Sequence, residues 1–160
     1  MGRNVKELDS YCFCYFRDLE TVTLEKTDGL FGNGIVKCCY GLKFLGIPGN
    51  MESIPRYLCE QCISLKNVSV PNGIGTIPDN AFSECHSLEK ITMPETVTSL
   101  GKFALNECLA MKELYLPEKV SAIDGSIFRK DWLLEGIRLT DGITEIPDNA
   151  FSGCYMLTDW

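Results

Sequence analysis

Apolar residues return along this chain at a fixed interval of 23 positions, with no insertion to break the register. Leu19, Leu42, Leu65, Leu88, Met111, Leu134 and Leu157 share one slot of the period. Three residues on stand Val22, Leu45, Val68, Ile91, Leu114 and Ile137, and two further on Leu24, Ile47, Val70, Met93, Leu116 and Leu139. Pro48, Pro71, Pro94 and Pro117 then close the unit. The rest of the period is as regular, through Met51, Ile74, Val97, Val120 and Ile143 to Ile54, Ile77, Leu100, Ile123 and Ile146. The segments "IPDNAFSECHSL" (77–88) and "IPDNAFSGCYML" (146–157) lie 69 residues apart, three periods of 23.

The physics of one unit is readable. Ile91 and Met93 alternate with Lys90 and Thr92, which predicts a short strand with one buried face. Proline ends that strand, because it cannot donate to a ladder. Asp79 or Asn80 is placed to cap a short helical turn through Ala81, Phe82 and Ser83 on the opposite side. No unit can bury its own apolar slots, so stacking must do it, each large side chain contributing about 1.5–3 kcal/mol. A fixed period in the low twenties is the signature of a leucine-rich-repeat solenoid. The expected fold is therefore an α/β, right-handed, curved coil. Short parallel strands line its concave face, with short helical turns or loops on the convex side. About seven units fill residues 8–160, the last cut off at Trp160, behind a lead-in at 1–7.

The repeated pattern L-x-x-I-x-L-P-x-x-V-x-x-I-x-x-x-A-F-x-x-C-x-x-L resembles the BspA-like (treponemal-type) leucine-rich repeats. The departures are local: Phe16 takes the cysteine slot of the first unit, and Asp131 and Thr140 replace cysteine and proline in the sixth. The resemblance implies a secreted or cell-surface protein that adheres to host matrix proteins or to other cells, with no enzymatic role.

Charge and composition narrow this further. Fifteen Lys and Arg against 22 Asp and Glu give a net charge of −7 with no basic run, a poor match to nucleic acid. No uninterrupted apolar stretch is long enough for a membrane span. The opening "MGRNVKELDS" has no apolar h-region, so no signal peptide is read in this chain. The chain stops where another strand should start, which raises the expectation of a longer array or of end-to-end self-association through the uncapped C-terminal coil.

Chemistry is sparse. Cys59 and Cys62 form a C-x-x-C pair, which elsewhere marks a redox dithiol or half a zinc site. Here Cys39, Cys62, Cys85, Cys108 and Cys154 share one slot and predict a column of small buried thiols, while Cys59 fills the phenylalanine slot of its unit. The balance favours structure, with a thiol or zinc site at Cys59/Cys62 as the remaining reading. His86, the only histidine, shares a flank slot with Tyr40, Ile63, Leu109, Trp132 and Tyr155 and reads as packing. "GLFGNG" (29–34) has the wrong spacing for a phosphate loop and reads as a turn. No catalytic residue, metal site or cofactor is read from the sequence.

The outward positions beside the strand slots would tile the concave face, the surface that repeat proteins present to partners. Phe44, Lys90, Thr92, Glu113, Tyr115 and Arg138 are the candidate binding residues, with Phe44, Tyr115 and Arg138 as anchors. Two readings of that face stand side by side: a protein-binding surface, or the solvated sheet of a spacer that holds another domain away from a surface.

Overall fold

The structure, a computed structural model, describes residues 7–25 and 31–160. Its described strands are short, as a unit that must turn several times in 23 residues requires. In chain order they are β1 (Thr21–Thr23), β2 (Phe44–Gly46), β3 (Asn67–Ser69), β4 (Thr76–Ile77), β5 (Lys90–Thr92), β6 (Ser99–Leu100), β7 (Glu113–Tyr115), β8 (Ala122–Ile123) and β9 (Gly136–Arg138). β1, β2, β3, β5, β7 and β9 each start 23 residues after the last, so about five turns separate the first from the final one. In each, the central residue points inward and its neighbours outward, the period of two that the alternation predicts. The lead-in expected at 1–7 lies outside the described residues except for Glu7, and so do Gly29 and Leu30 of the "GLFGNG" turn.

The pairing is parallel and in repeat register. Thr21 faces Phe44, Asn67 faces Lys90, and Glu113 faces Gly136. These strands are hydrogen-bonded as the pairs β1–β2, β3–β5 and β7–β9, rather than as one unbroken sheet. The two-residue strands β4, β6 and β8 form a second parallel row. Between the rows lies one core, in which Leu42, Leu65, Leu88, Met111 and Leu134 are fully buried.

The side opposite the strands corrects one expectation. Among the described residues there is no helix, and the α/β description and the helical turn through Ala81, Phe82 and Ser83 do not hold. The fold is a parallel-strand solenoid joined by turns. Two columns of residues with positive φ explain why. Tyr11, Gly34, Tyr57, Asn80, Phe103, Ser126 and Asn149 have φ of 55–61°. Four residues on, Tyr15, Cys38, Gln61, Glu84, Glu107, Lys130 and Gly153 are left-handed again. That conformation costs about 1–2 kcal/mol for an ordinary L-residue and breaks a helix twice in every coil.

The compensation is a ladder between coils. The amides of Tyr57, Cys59 and Gln61 donate to the carbonyls of Asp79, Ala81 and Ser83, at 3.3, 2.9 and 2.9 Å, each 22 residues ahead. Tyr11, Phe13 and Tyr15, then Gly34, Val36 and Cys38, then Asn80, Phe82 and Glu84, repeat the pattern. A helix would need these amides for itself; here they point along the solenoid axis. Asp79 likewise caps no helix of its own, and its Oδ1 accepts the Lys102 amide at 3.0 Å, one coil on.

Candidate functional site

The inward–outward alternation of each strand sets the six candidate binding residues on the strand-bearing face. Phe44 and Tyr115 are 55% and 69% exposed there. The Phe44 ring leans along β2 over Gly46, where a β-carbon would come within 3.4 Å of its Cε1. Lys90, Thr92, Glu113 and Arg138 are exposed on the same face. The Tyr115 hydroxyl donates to Glu113 Oε2 at 2.9 Å, which raises the phenol pKa.

Among the described residues, three grooves open on that face. One of about 630 Å³ is lined by Lys90, Thr92, Glu113 and Tyr115, with Met93 and Leu116 among its apolar walls. A second, about 340 Å³, joins Glu113 and Tyr115 to Arg138 and Trp160. A third, about 490 Å³, runs from Phe44 past Asn67 and Ser69 to Lys90 and Thr92. Tyr115 and Arg138 therefore meet directly, as register partners of β7 and β9. Phe44 does not join them: it lies in a separate groove, connected only through Lys90 and Thr92. Beside the face, Lys43 pairs with Glu20 at 2.6 Å and Lys66 with Glu89 at 3.6 Å, exposed contacts that contribute little to stability.

The cysteine slot lies inside the coil. Cys39, Cys62, Cys85 and Cys108 are fully buried and Cys154 partly so, and none is in a disulfide. Each thiol donates to the carbonyl 26 residues earlier. Cys39, Cys62, Cys85, Cys108 and Cys154 reach Phe13, Val36, Cys59, Phe82 and Phe128 at 2.9, 3.1, 3.2, 3.5 and 3.0 Å. The column thus satisfies one backbone acceptor for each cysteine it holds, a role that spacing alone did not suggest. Burial pushes the Cys39 thiol up to about 12 and Cys154 to about 11, and raises Cys85 and Cys108 as well.

Cys59 is buried too, and desolvation followed by its contact with Cys62 raises its pKa. A redox dithiol needs the opposite shift. Among the described residues, no third ligand-bearing side chain joins the pair to make a metal group. The expected result of thiol titration follows from burial. In native protein Cys12, the one exposed thiol, reacts fast, Cys14 and Cys154 slowly, and the six buried thiols only in denaturant. Native labelling of Cys59 and Cys62 would contradict this placement.

One grouping escaped the sequence reading. Glu84, His86 and Glu107 bring a ligand atom each to within 4.8 Å of one another, all three half-buried. His86, read as flank packing, stands beside two carboxylates. The signal was present, since Glu84 and Glu107 are 23 residues apart and so adjacent in neighbouring coils, but polar slots carry no visible period.

Comparison with known proteins places the chain. The profile of the BspA type leucine rich repeat region matches residues 1–63 and 52–159, in six copies. A leucine-rich repeat protein from Bacteroides ovatus superposes with a TM-score of 0.79 at 27% identity, over 88% of this chain and 36% of its own. The leucine rich repeat protein of T. pallidum superposes with a TM-score of 0.77 at 24% identity, over 88% of this chain and 62% of its own. The chain thus spans about a third to three fifths of the length of these two structures. Among curated protein sequences none matches significantly. No helix among the described residues is long and apolar enough to cross a membrane. By its repeat and by its fold, the chain belongs to the BspA-type leucine-rich-repeat family.

Proposed function

We propose that the chain is a non-enzymatic protein-binding module that engages its partner on the strand-bearing face. Phe44, Lys90, Thr92, Glu113, Tyr115 and Arg138 make the contact. The observation that carries this reading is the continuity of the three grooves. Lys90 and Thr92 belong to two of them, Glu113 and Tyr115 to two, and an exposed aromatic stands toward either end. A partner chain laid across the strands would cover both aromatics with polar groups between them, the arrangement of anchors and rim that interfaces use. Leucine-rich-repeat proteins commonly bind proteins, and BspA-type members are often secreted or held at the surface. In that setting the partner is a host matrix protein or a protein of another cell's surface.

The test is binding of the chain to immobilised fibronectin, to fibrinogen and to intact cells, with a Phe44→Ala/Tyr115→Ala variant beside it. Truncating two anchors is expected to weaken binding by roughly several hundredfold, since hot-spot residues contribute at least about 2 kcal/mol each and every 1.4 kcal/mol is tenfold. Binding that survives in the folded variant moves the contact off this face. Binding to none of the three favours a spacer.

A further inference from the structure

Glu84 and Glu107 sit where two chains of hydrogen bonds collide. Cys38 Sγ donates to Gln61 Oε1 at 3.1 Å, and Gln61 Nε2 donates to Glu84 Oε2 at 2.9 Å. From the other end, Lys130 Nζ donates to Glu107 Oε1 at 2.8 Å. All five residues occupy the same slot of successive coils. Donation converges from both directions, and between Glu84 and Glu107 acceptor meets acceptor. Two like charges side by side in the turns of adjacent coils disfavour one another, and Lys130 offsets only one of them. The third group at this junction is His86, two residues beyond Glu84.

We propose that Glu84, His86 and Glu107 form a site for a first-row divalent cation of the zinc and cobalt class, independent of the binding face. An imidazole nitrogen with two carboxylate oxygens is a donor set of intermediate hardness, suited to these ions rather than to the all-oxygen shell of calcium. Gln61 and Lys130 each hold one carboxylate oxygen and so orient the other, Glu84 Oε1 and Glu107 Oε2, for the metal. Ligand bonds of about 2.0–2.2 Å set tetrahedral donor atoms about 3.3–3.6 Å apart. The spread of 4.8 Å closes by small rotations of half-buried side chains. Water fills the remaining positions, since the site opens to solvent. The ion joins two coils at the one rung where the side-chain ladder lacks a donor.

Cobalt(II) is the probe, because its spectrum separates this site from the nine thiols. Titrated into the native chain at near-neutral pH, it is expected to bind in one saturable equivalent. The spectrum should show weak visible bands and no intense near-ultraviolet thiolate band. His86→Ala and Glu107→Gln should each weaken binding by about tenfold or more, whereas Cys12→Ser should change nothing. Far-UV circular dichroism confirms that the variants fold, and Glu107→Gln retains an oxygen for Lys130. Absence of binding overturns the site. A thiolate band, or unchanged affinity in both variants, overturns it equally.

Discussion

Asp131→Cys is expected to stabilise the protein at neutral pH by about 1–3 kcal/mol, the cost of a buried polar group left without a partner. Asp131 occupies the cysteine slot of its coil and is fully buried. Its Oδ1 accepts the Cys108 amide at 2.8 Å, but Oδ2 has no partner. In neighbouring coils the slot donates a hydrogen to the carbonyl 26 residues earlier, which for Asp131 is that of Leu105. An ionised carboxylate has no hydrogen to give. Burial, reinforced by the charge of Glu107, raises the Asp131 pKa well above the ordinary carboxylate value, against the pull of the Cys108 amide.

The sign follows from linkage. Below the unfolded-state value of about 3.9, both states are protonated and Asp131 costs least. Above it the unfolded chain releases a proton that the native state keeps. Stability then falls by about 1.4 kcal/mol per pH unit until the native group ionises. Urea denaturation of the wild type and of Asp131→Cys across that range should show this decline only in the wild type. Asp131→Asn, which carries an amide donor and keeps an oxygen for the Cys108 amide, should lose the decline as well. It should be at least as stable as the cysteine variant, which gives up that acceptor. A lower midpoint for Asp131→Cys at neutral pH, or an unchanged slope, would show that the native carboxylate is ionised and accommodated.

Phe82→Ala is expected to cost about 3–5 kcal/mol, a large share of the stability of a chain this size. Phe82 is fully buried in a slot whose neighbours in adjacent coils are Cys59 and Leu105, both fully buried as well. A small thiol on one side and a leucine on the other leave the ring as the principal filler of its layer. Each coil packs only on its neighbours, so no distant side chain can move in. Phe82→Leu keeps most of the volume and should cost less than about 1.5 kcal/mol, which keeps the comparison measurable if the alanine variant fails to fold. A loss below about 1 kcal/mol for Phe82→Ala would mean that the coil collapses onto the gap. The same logic accounts for Cys59. Standing in a slot that holds Phe82 and Phe128 elsewhere, it is a space-filling residue, and its spacing to Cys62 is the ordinary spacing between two slots of the repeat.

The register of the coil was legible because the residues that set it are apolar and periodic. Leu65, Val68 and Val70 announce a strand with one buried face wherever they recur, and Pro71 announces its end. The turns were not legible. Their defining feature is a left-handed backbone at Tyr57, Phe103, Glu84 and Lys130, residue types that carry no such signal. Only Gly34, Asn80, Asn149 and Gly153 bear the usual mark. What holds those residues in place is an acceptor 22 positions ahead, outside any local window, and a helix was the natural local reading of "NAFSEC". The candidate face divides in the same way. Alternation places Tyr115 and Arg138 outward, and the repeat register makes them neighbours. The separation of Phe44 follows from β3 and β5 lying between β2 and β7, which only the stacking order reveals.

The ladder that runs from the amides of one coil to the carbonyls of the next also fixes how the molecule yields to force. Its bonds lie along the solenoid axis, so tension between the two ends falls first on the outermost coil and peels it away. The rest keep their own neighbours. Extension then proceeds coil by coil, each release adding the contour of 23 residues, roughly 70–80 Å against the few ångströms the folded coil occupied. The compliance of the folded coils is thus set by their number, and the remaining coils stay folded while the chain lengthens.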